Sequence, residues 1–384
     1  MGLVGPGFVG AHHIDAVRRL GFVDVVALCD ASADRALAKA EAFGVSRAYD
    51  SVAALASDPA VDVVHVATPN ARHGRDVLAV LAAGKHVVCE KPLAISADEA
   101  HGLWQAAEDA GVVHAVMFNY RGNPLVQEAR ARVASGAIGP VHFVHGAYLQ
   151  DWLLEPTDFS WRLEPEQGGP SVAFGDIGSH WVDLVQHVVG RRIEAVLADL
   201  TTVVPVRQKP HGSPEAFSAG DTADRQPVQI RTDDMASVLM RFEGGAKGCV
   251  SVGQVCAGHK NDCWFEVNGA AGSLRWRQER QNELWVGKRH EPSAILPKDP
   301  ALLSPPARPY AHLPGGHQEG WPDAFANVCR DIYSAIAAAA SPTPSPRPTA
   351  MATFEDGYRA ACLVDAVLQS HGNGGVWTAV RDTR

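Results

Sequence analysis

Residues 1–10 read MGLVGPGFVG, and this stretch decides the fold. The apolar run Met1–Val4 leads straight into Gly5-Pro6-Gly7-Phe8-Val9-Gly10, and Ala11–Leu20 follows with helical periodicity. A strand that feeds a GxGxxG turn and opens a helix is the first βα unit of a doubly wound parallel sheet. Gly5 permits the tight turn, Gly7 lets a pyrophosphate approach the backbone, and Gly10 lets the helix pack close to the strand. The helix N-terminus offers amide donors to the phosphates. Asp30 stands twenty residues beyond Gly10, at the end of the next apolar run, Val25–Cys29. That spacing is where a carboxylate meets the adenosine ribose hydroxyls of a dinucleotide. Phe8 and Val9, at the helix opening, join Gly5, Gly7, Gly10 and Asp30 as expected cofactor contacts. Asp30-Ala31-Ser32 brings no adjacent arginine for a 2′-phosphate, so NAD is expected in preference to NADP, with Arg35 the nearest cation.

Outward from this turn, strand-type runs at Val61–Ala67, His86–Cys89 and Val112–Met117 alternate with helical patterns at Asp34–Phe43, Arg72–Ala83 and Ala97–Ala110. From about Ala137 the pattern changes to longer strand-type runs: Val141–Leu149, Ile193–Val204, Asp234–Phe242, Gly248–Val255, Cys263–Val267 and Ser273–Trp276. Successive strands without intervening helices imply a mainly antiparallel sheet. The expected fold class is α/β. Residues 1–120 form an N-terminal Rossmann domain with a doubly wound parallel sheet. Residues 121–384 are expected to form a C-terminal α/β domain with a large open sheet, and its final helix, 350–371, is expected to pack back on the first domain. Pro205–Thr232 and Pro292–Gly316 read as irregular surface excursions or lids, the second leading into a helix at Pro322–Ala339. Ser341–Pro348, with four prolines in eight residues, reads as a stiff linker before a last helix around Phe354–Ser370.

Composition narrows the class. At 384 residues, 46% of them hydrophobic, the chain can bury a real core and exceeds one ordinary domain. A net charge of −9 gives no basic field for phosphate backbones, so nucleic acid is not an expected partner. No apolar run has the length of a membrane span, and the first residues read as a strand and not as a leader, so a cytoplasmic location is expected. The strand before Gly5 is short, and a few residues of the native start are expected to precede it. Seven cysteines without a CxxC pair suit buried thiols in a reducing compartment, with no metal site.

Two further constellations carry chemistry. Glu90-Lys91-Pro92 follows the strand His86–Cys89, and Thr68-Pro69-Asn70, with His73 one turn on, follows the strand before it. Both lie at the strand ends where open α/β sheets bind ligands. An isolated lysine there is by default a solvated cap. The second constellation is Asp176-Ile177-Gly178-Ser179-His180-Trp181-Val182-Asp183, which puts Asp176, His180 and Asp183 at i, i+4 and i+7, on one face of a helix. Its bland reading is a capping aspartate and a satisfied core histidine. His12 and His13, beside the glycine loop, read as helix-surface residues.

The ordered set of Gly5–Gly10, Ala67-Thr68-Pro69-Asn70, Glu90-Lys91-Pro92-Leu93 and Asp176–Asp183 resembles the Gfo/Idh/MocA oxidoreductases, named for glucose–fructose oxidoreductase and inositol dehydrogenase. The resemblance covers nearly the whole chain. It implies a Rossmann domain followed by an α/β domain whose open sheet mediates a homodimer or homotetramer. It also implies a catalytic group consisting of Lys91, Asp176 and His180. Phe118-Asn119-Tyr120-Arg121, Tyr148–Trp152, Ser160-Trp161-Arg162, Gly258–Asn261 and Phe354–Gly357 are similar to the levoglucosan dehydrogenase-like, glycoside 3-dehydrogenase branch. One departure is Val172, in Gly168-Gly169-Pro170-Ser171-Val172, where relatives usually carry glycine.

The resemblance implies NAD-dependent oxidation of a secondary ring hydroxyl, at C3, of a sugar, anhydrosugar or glycoside. Loss of hydride from a carbinol carbon needs a base for the hydroxyl proton, a task that suits His180. Lys91 would stabilise the alkoxide, and Asp176 would bind the sugar or orient the other two groups. Thr68, Pro69, Asn70, His73, Glu90, Lys91, Asn119 and Arg162 are expected on the cofactor side. Lys91, Tyr120, Gln150, Trp152, Trp161, Asp176, His180 and His259 are expected on the substrate side, with Asp151 and His317 as further candidates. Cyclitol oxidation, a redox-neutral NAD-using glycosidase or epimerase, and a non-catalytic NAD-binding sensor are the alternatives.

Overall fold

A computed structural model describes residues 1–210, 225–341 and 349–381. The chain divides into two compact units: Met1–Asn119 with Pro322–Ala361, and Tyr120–Trp321 with Cys362–Arg384.

The first unit is built on six parallel strands: β1 (Gly2–Val4), β2 (Ala27–Cys29), β3 (Arg47–Tyr49), β4 (Val63–Val66), β5 (His86–Cys89) and β6 (His114–Val116), in the order β3-β2-β1-β4-β5-β6. Between them run α1 (Phe8–Leu20), α2 (Ala33–Phe43), α3 (Val52–Ala56), α4 (His73–Ala82) and α5 (Ala97–Ala110). Strands such as Val63–Val66 are buried throughout, as expected for a parallel sheet covered on both faces. Helix starts follow local chemistry: Ser96 caps α5 by accepting the Glu99 amide at 3.2 Å, with Asp98 and Glu99 against the positive end of the helix dipole. β3 and α3 escape a reading by periodicity because they are too short to show a period and because β3 is an edge strand.

In the second unit, α6 (Pro124–Ala134), α7 (Pro165–Gly168) and α8 (Ser179–Val189) accompany the strands β7 (Val141–Leu149), β8 (Ile193–Thr201), β9 (Val206–Pro210), β10 (Arg225–Gln229), β11 (Met235–Phe242), β12 (Lys247–Gly253), β13 (Asp262–Gly269), β14 (Ser273–Arg277), β15 (Glu283–Gly287), β16 (Ala294–Pro297) and β17 (Thr378–Ala379). Nine of these strands form one sheet, β16-β15-β14-β13-β7-β12-β11-β8-β17, antiparallel at each described pairing except β7 with β12. Side chains along β11 alternate between exposed and buried. The buried row, Val238 and Met240 included, packs with Leu125 and Ala129 of α6 and with Trp181, Val185 and Val188 of α8. Gly146 in β7 makes room for that packing, since a Cβ there would lie 2.7 Å from Trp181 Nε1 and 2.1 Å from the Trp264 carbonyl. The helices α9 (Trp321–Ala339) and α10 (Phe354–Gly372) complete the chain, and the boundary between the units falls within α10. Among the described residues no helix is long and apolar enough to cross a membrane.

Two expectations are corrected. Pro205–Thr232 is not wholly irregular: β9 and β10 pair antiparallel. They are anchored by Arg207, which is fully buried and donates from Nη2 to Asp234 at 2.8 Å and from Nη1 to the Glu155 carbonyl at 3.0 Å. The charges that made the segment read as solvated are its internal fastening. Pro292–Gly316 likewise holds β16, paired to β15 at the edge of the sheet. Residues 211–224 of the first excursion, and 342–348 of the expected linker, lie outside the described residues.

Candidate active site

The strand order of the first unit reverses between β1 and β4, the switch point at which open sheets bind ligands. Gly5 adopts φ +84°, and a Cβ there would lie 2.6 Å from the Ala67 carbonyl oxygen. At Gly10 it would lie 2.4 Å from the Gly5 oxygen. At Gly7 it would meet nothing within 4 Å, so the loop is packed on its inner side and open where a phosphate would approach. No side chain caps α1. Phe8 is exposed at the opening of α1, and Val9 is half-buried. Asp30 accepts the Ala31 amide at 2.6 Å and is gripped by the exposed Arg35, with Nε at 3.2 Å and Nη2 at 3.4 Å. Asn119 Nδ2 and Arg162 Nη1 are buried with no hydrogen-bond partner among the described residues. An open glycine cradle, an uncapped helix N-terminus, a carboxylate after β2 and the orphaned Asn119 donor, all of the first unit, fit a dinucleotide.

Glu90 and Lys91 sit at the end of β5. The Glu90 amide donates to the Val66 carbonyl at 2.8 Å, and Glu90 Oε2 accepts the Lys91 amide at 3.1 Å. The Lys91–Pro92 peptide is cis. His73 is fully buried, with Nε2 2.8 Å from the Thr68 carbonyl oxygen and Nδ1 2.7 Å from that of Pro92. Burial lowers its pKa, and a neutral ring donates to one of these carbonyls at a time. The Thr68 hydroxyl donates to Asp76 at 2.9 Å, and Pro69 leads into the 3-10 turn Asn70–Arg72, in which Asn70 is buried. His13 does not lie on the helix surface as expected. It is fully buried, with Nε2 3.1 Å from Glu90 Oε1 and Nδ1 2.7 Å from His65 Nδ1. His65 Nε2 in turn lies 3.1 Å from the Tyr333 hydroxyl. His12, one residue earlier, is half-buried and meets Phe8 edge-on at 5.1 Å.

In the second unit, Asp176 lies in a π-helical turn, Ala173–Gly178, that precedes α8. The expected regular helical stripe of Asp176, His180 and Asp183 is thereby broken, because a π turn adds a residue to the repeat. Asp183 instead forms a buried ion pair with Arg121, whose Nε donates at 2.8 Å. Asp176 Oδ2 accepts from Gln254 Nε2 at 3.1 Å, and Arg162 Nε lies 3.5 Å from Oδ1. The His180 ring meets Tyr120 edge-on at 5.1 Å and lies 6.4 Å from Tyr148. The π turn is held by Asp233, whose carboxylate accepts the amides of Val172 at 2.9 Å and Phe174 at 2.8 Å. Val172 itself packs with Leu153, Leu163 and Ile230 at φ −100°, a conformation that makes no demand for glycine.

Tyr120 and Tyr148 share a 2.6 Å hydrogen bond, and Asn261 Oδ1 accepts from the Tyr148 hydroxyl at 2.7 Å and from Gln150 Nε2 at 3.0 Å. Trp152 Nε1 donates to Gln150 Oε1 at 2.9 Å. Burial drives the pKa values of both tyrosines up, so the phenols stay protonated donors. Trp161 carries the Arg162 guanidinium over its ring at 4.5 Å. His259 hydrogen-bonds Asp262 at 2.7 Å, Asp151 binds Lys260 at 2.7 Å, and His317 is exposed. Three residues of this cluster, Tyr148, Gln254 and Asn261, are not singled out by a sequence reading. Tyr148 and Asn261 stand inside quoted motifs, yet only the fold shows that they meet. No group of three or more His, Cys, Asp or Glu residues able to hold a metal ion is found among the described residues.

Comparison with known proteins adds an independent line. Residues 1–118 match a family described as an oxidoreductase family with an NAD-binding Rossmann fold, and residues 126–275 match the GFO/IDH/MocA C-terminal domain. Levoglucosan dehydrogenase of Pseudarthrobacter phenanthrenivorans is 33% identical over 391 residues, spanning 96% of this chain and 95% of that protein. The solved structure of levoglucosan dehydrogenase in complex with NADH and levoglucosan is similar with a TM-score of 0.85 at 31% identity, covering 99% of this chain and 98% of that one. An inositol dehydrogenase homolog complexed with NAD+ from Azotobacter vinelandii has a TM-score of 0.86 at 28% identity, covering 98% and 96%.

Proposed function

This chain belongs to the GFO/IDH/MocA oxidoreductases, with an NAD-binding Rossmann fold, and from that premise we propose that it oxidises a secondary ring hydroxyl, at C3, of a sugar, anhydrosugar or glycoside to a ketone. The observation that carries the reading is the polar cluster of the second unit. A carboxylate (Asp176), an imidazole (His180) and the donors and acceptors of Tyr120, Tyr148, Gln150 and Asn261 gather around one another, as a ligand with many hydroxyls requires. Bound NAD supplies the hydride acceptor, held by Gly5, Gly7, Phe8, Val9, Gly10, Asp30, Thr68, Pro69, Asn70, His73, Glu90, Lys91, Asn119 and Arg162. His180 takes the hydroxyl proton, the Lys91 ammonium stabilises the negative charge that develops on that oxygen, and Asp176 orients the sugar. Tyr120, Gln150, Trp152, Trp161 and His259 complete the substrate side. The Asp30 carboxylate after β2 supports NAD over NADP. The solvent face of the nine-stranded sheet carries exposed Phe143, Met235 and Leu239, which supports a homodimer or homotetramer built through that sheet.

Purified protein with NAD and a panel of levoglucosan, glucosides and inositols tests the reading. NADH should accumulate with levoglucosan or a glucoside. Accumulation with inositols alone would make it a cyclitol dehydrogenase, and product without net NADH would make it a redox-neutral enzyme. Cofactor binding with no turnover across the panel would leave a sensor. Lys91→Ala and His180→Ala should each lower kcat by about a thousandfold or more, and His180→Ala should leave NADH affinity within about threefold.

A further inference from the structure

The Glu90-Lys91-Pro92 turn is flanked on both sides by buried histidines, neither of which takes part in the proton transfer proposed above. On one side, His13 of α1 reaches Glu90 Oε1 at 3.1 Å, and the other oxygen of that carboxylate holds the Lys91 amide at 3.1 Å. On the other side, His73 Nδ1 lies 2.7 Å from the Pro92 carbonyl oxygen and Nε2 2.8 Å from that of Thr68, and the neutral ring donates to one of the two. His13, His65 and His73 are all fully buried. His13 is fixed further by Phe325, whose ring meets it edge-on at 4.9 Å.

For a neutral His13, the partners assign the protons of the longer chain. An ionised Glu90 only accepts, so a neutral His13 carries its proton on Nε2 and donates it to Oε1. His13 Nδ1 is then a lone pair. His65 Nδ1, 2.7 Å away, must therefore carry the proton between the rings, which leaves His65 Nε2 to accept from the Tyr333 hydroxyl at 3.1 Å. Tyr333, His65 and His13 thus all donate in one direction, toward Glu90, and hydrogen bonds in such a series polarise one another. Reversing one link alone would set two N–H groups or two lone pairs face to face. Burial pushes the His65 pKa well down, which keeps that ring neutral.

We propose that His13 and His73 are positioning residues that set the Lys91 turn, His13 through the Glu90 carboxylate and His73 through the Pro92 carbonyl, with His65 and Tyr333 fixing the direction of the His13 hydrogen bond. The inference rests on the reading of Lys91 as the group that stabilises the alkoxide. A packing role would be met by any apolar residue of similar size. A positioning role needs a donor aimed at Glu90.

The test compares His13→Leu with His13→Gln in the full-length protein. His13→Leu should lower kcat by about 10- to 100-fold, with the sugar KM and the NADH Kd within about threefold, and His13→Gln, whose amide nitrogen can donate to Glu90, should recover most of the loss. His73→Leu and His73→Gln should split in kcat in the same way, with NADH Kd left out of that comparison because His73 also stands among the cofactor contacts. Equal loss in the Leu and Gln variants, or near-normal kcat in His13→Leu, overturns the proposal. Two readouts do not depend on turnover. Trace acetic anhydride labelling of Lys91 should show altered amine reactivity in His13→Leu and a return toward normal in His13→Gln; unchanged reactivity counts against positioning. In the unsubstituted protein, 15N-histidine NMR should find His13 protonated on Nε2 alone and His65 on Nδ1 alone, and the opposite tautomers sink the chain even where a Leu variant fails to fold. A protein that oxidises no sugar would end the functional reading, while labelling and NMR would still decide this one.

Discussion

At the residue scale, Asp30 shows how one side chain carries two messages. Its carboxylate stands where the proposed reading puts the ribose, yet Arg35 binds it through two nitrogens, and an arginine beside this position is what a 2′-phosphate would use. Asp30→Ala removes the carboxylate and releases Arg35. The ratio of kcat/KM with NADP to that with NAD should then rise by more than about tenfold, and an unchanged ratio would show that Arg35 has no part in cofactor choice. Asp58 offers a prediction about pH. Its carboxylate accepts the Ala60 amide at 2.9 Å, Arg47 at 2.6 Å and the Tyr49 hydroxyl at 2.9 Å, and these bonds, that of Ala60 first, lower its pKa to about 2. A depressed folded-state pKa gives stability that is complete above the ordinary carboxylate value and is lost as pH falls toward about 2. Urea midpoints of the native protein and Asp58→Asn should differ most at neutral pH and converge as pH drops from 4 to about 2; a constant difference would exclude the linkage. Neither Asp30's ion pair nor Asp58's bonds can be read from spacing alone. The residue types are in the sequence, but which cation reaches which carboxylate is set by the fold.

At the element scale, the glycine loop separates folding from binding. A Cβ at Gly10 would lie 2.4 Å from the Gly5 carbonyl oxygen, whereas at Gly7 it would meet nothing within 4 Å. Gly10→Ala should therefore lower the melting temperature and NADH affinity together. Gly7→Ala should melt within about 2 °C of the parent yet bind NADH at least about tenfold more weakly, because the added methyl occupies the approach of the pyrophosphate. Equal loss of melting temperature in both variants would contradict the assigned roles. The loop is legible because the strand, the glycine spacing and the following helix are local. The helix that carries His180 is legible only in part: Asp176 and His180 are visible at i and i+4, but the π turn that separates their geometry from a regular stripe is held by Asp233, far along the chain, which accepts amides at Val172 and Phe174. His13 teaches the same lesson. Its helix gives no hint that Glu90 and His65 bury it.

At the scale of the whole molecule, assembly through the exposed face of the nine-stranded sheet is the proposal that Leu239 tests. Leu239 of β11 pairs in register with Cys249 of β12, and Cys249 with His145 of β7, on that face. Leu239→Glu would set a charge within this sheet face. Sedimentation should find the parent as a dimer or tetramer and the variant in a smaller species, and a monomeric parent would overturn assembly through the sheet. The sequence by itself determined the α/β class, the switch from a parallel to a mainly antiparallel sheet near Ala137 and the glycine cradle. Each of these depends on local periodicity or on a short motif whose geometry is fixed within a few residues. The tertiary structure alone decided that Arg207 fastens an excursion that reads as irregular surface, that Asp183 is spent on Arg121, that Tyr148 and Asn261 meet in one polar cluster, and that two buried histidines flank the Lys91 turn. The physical reason is common to all four: a polar side chain is stable in a core only when a partner meets it there, and in each case that partner lies more than a helix or strand away along the chain.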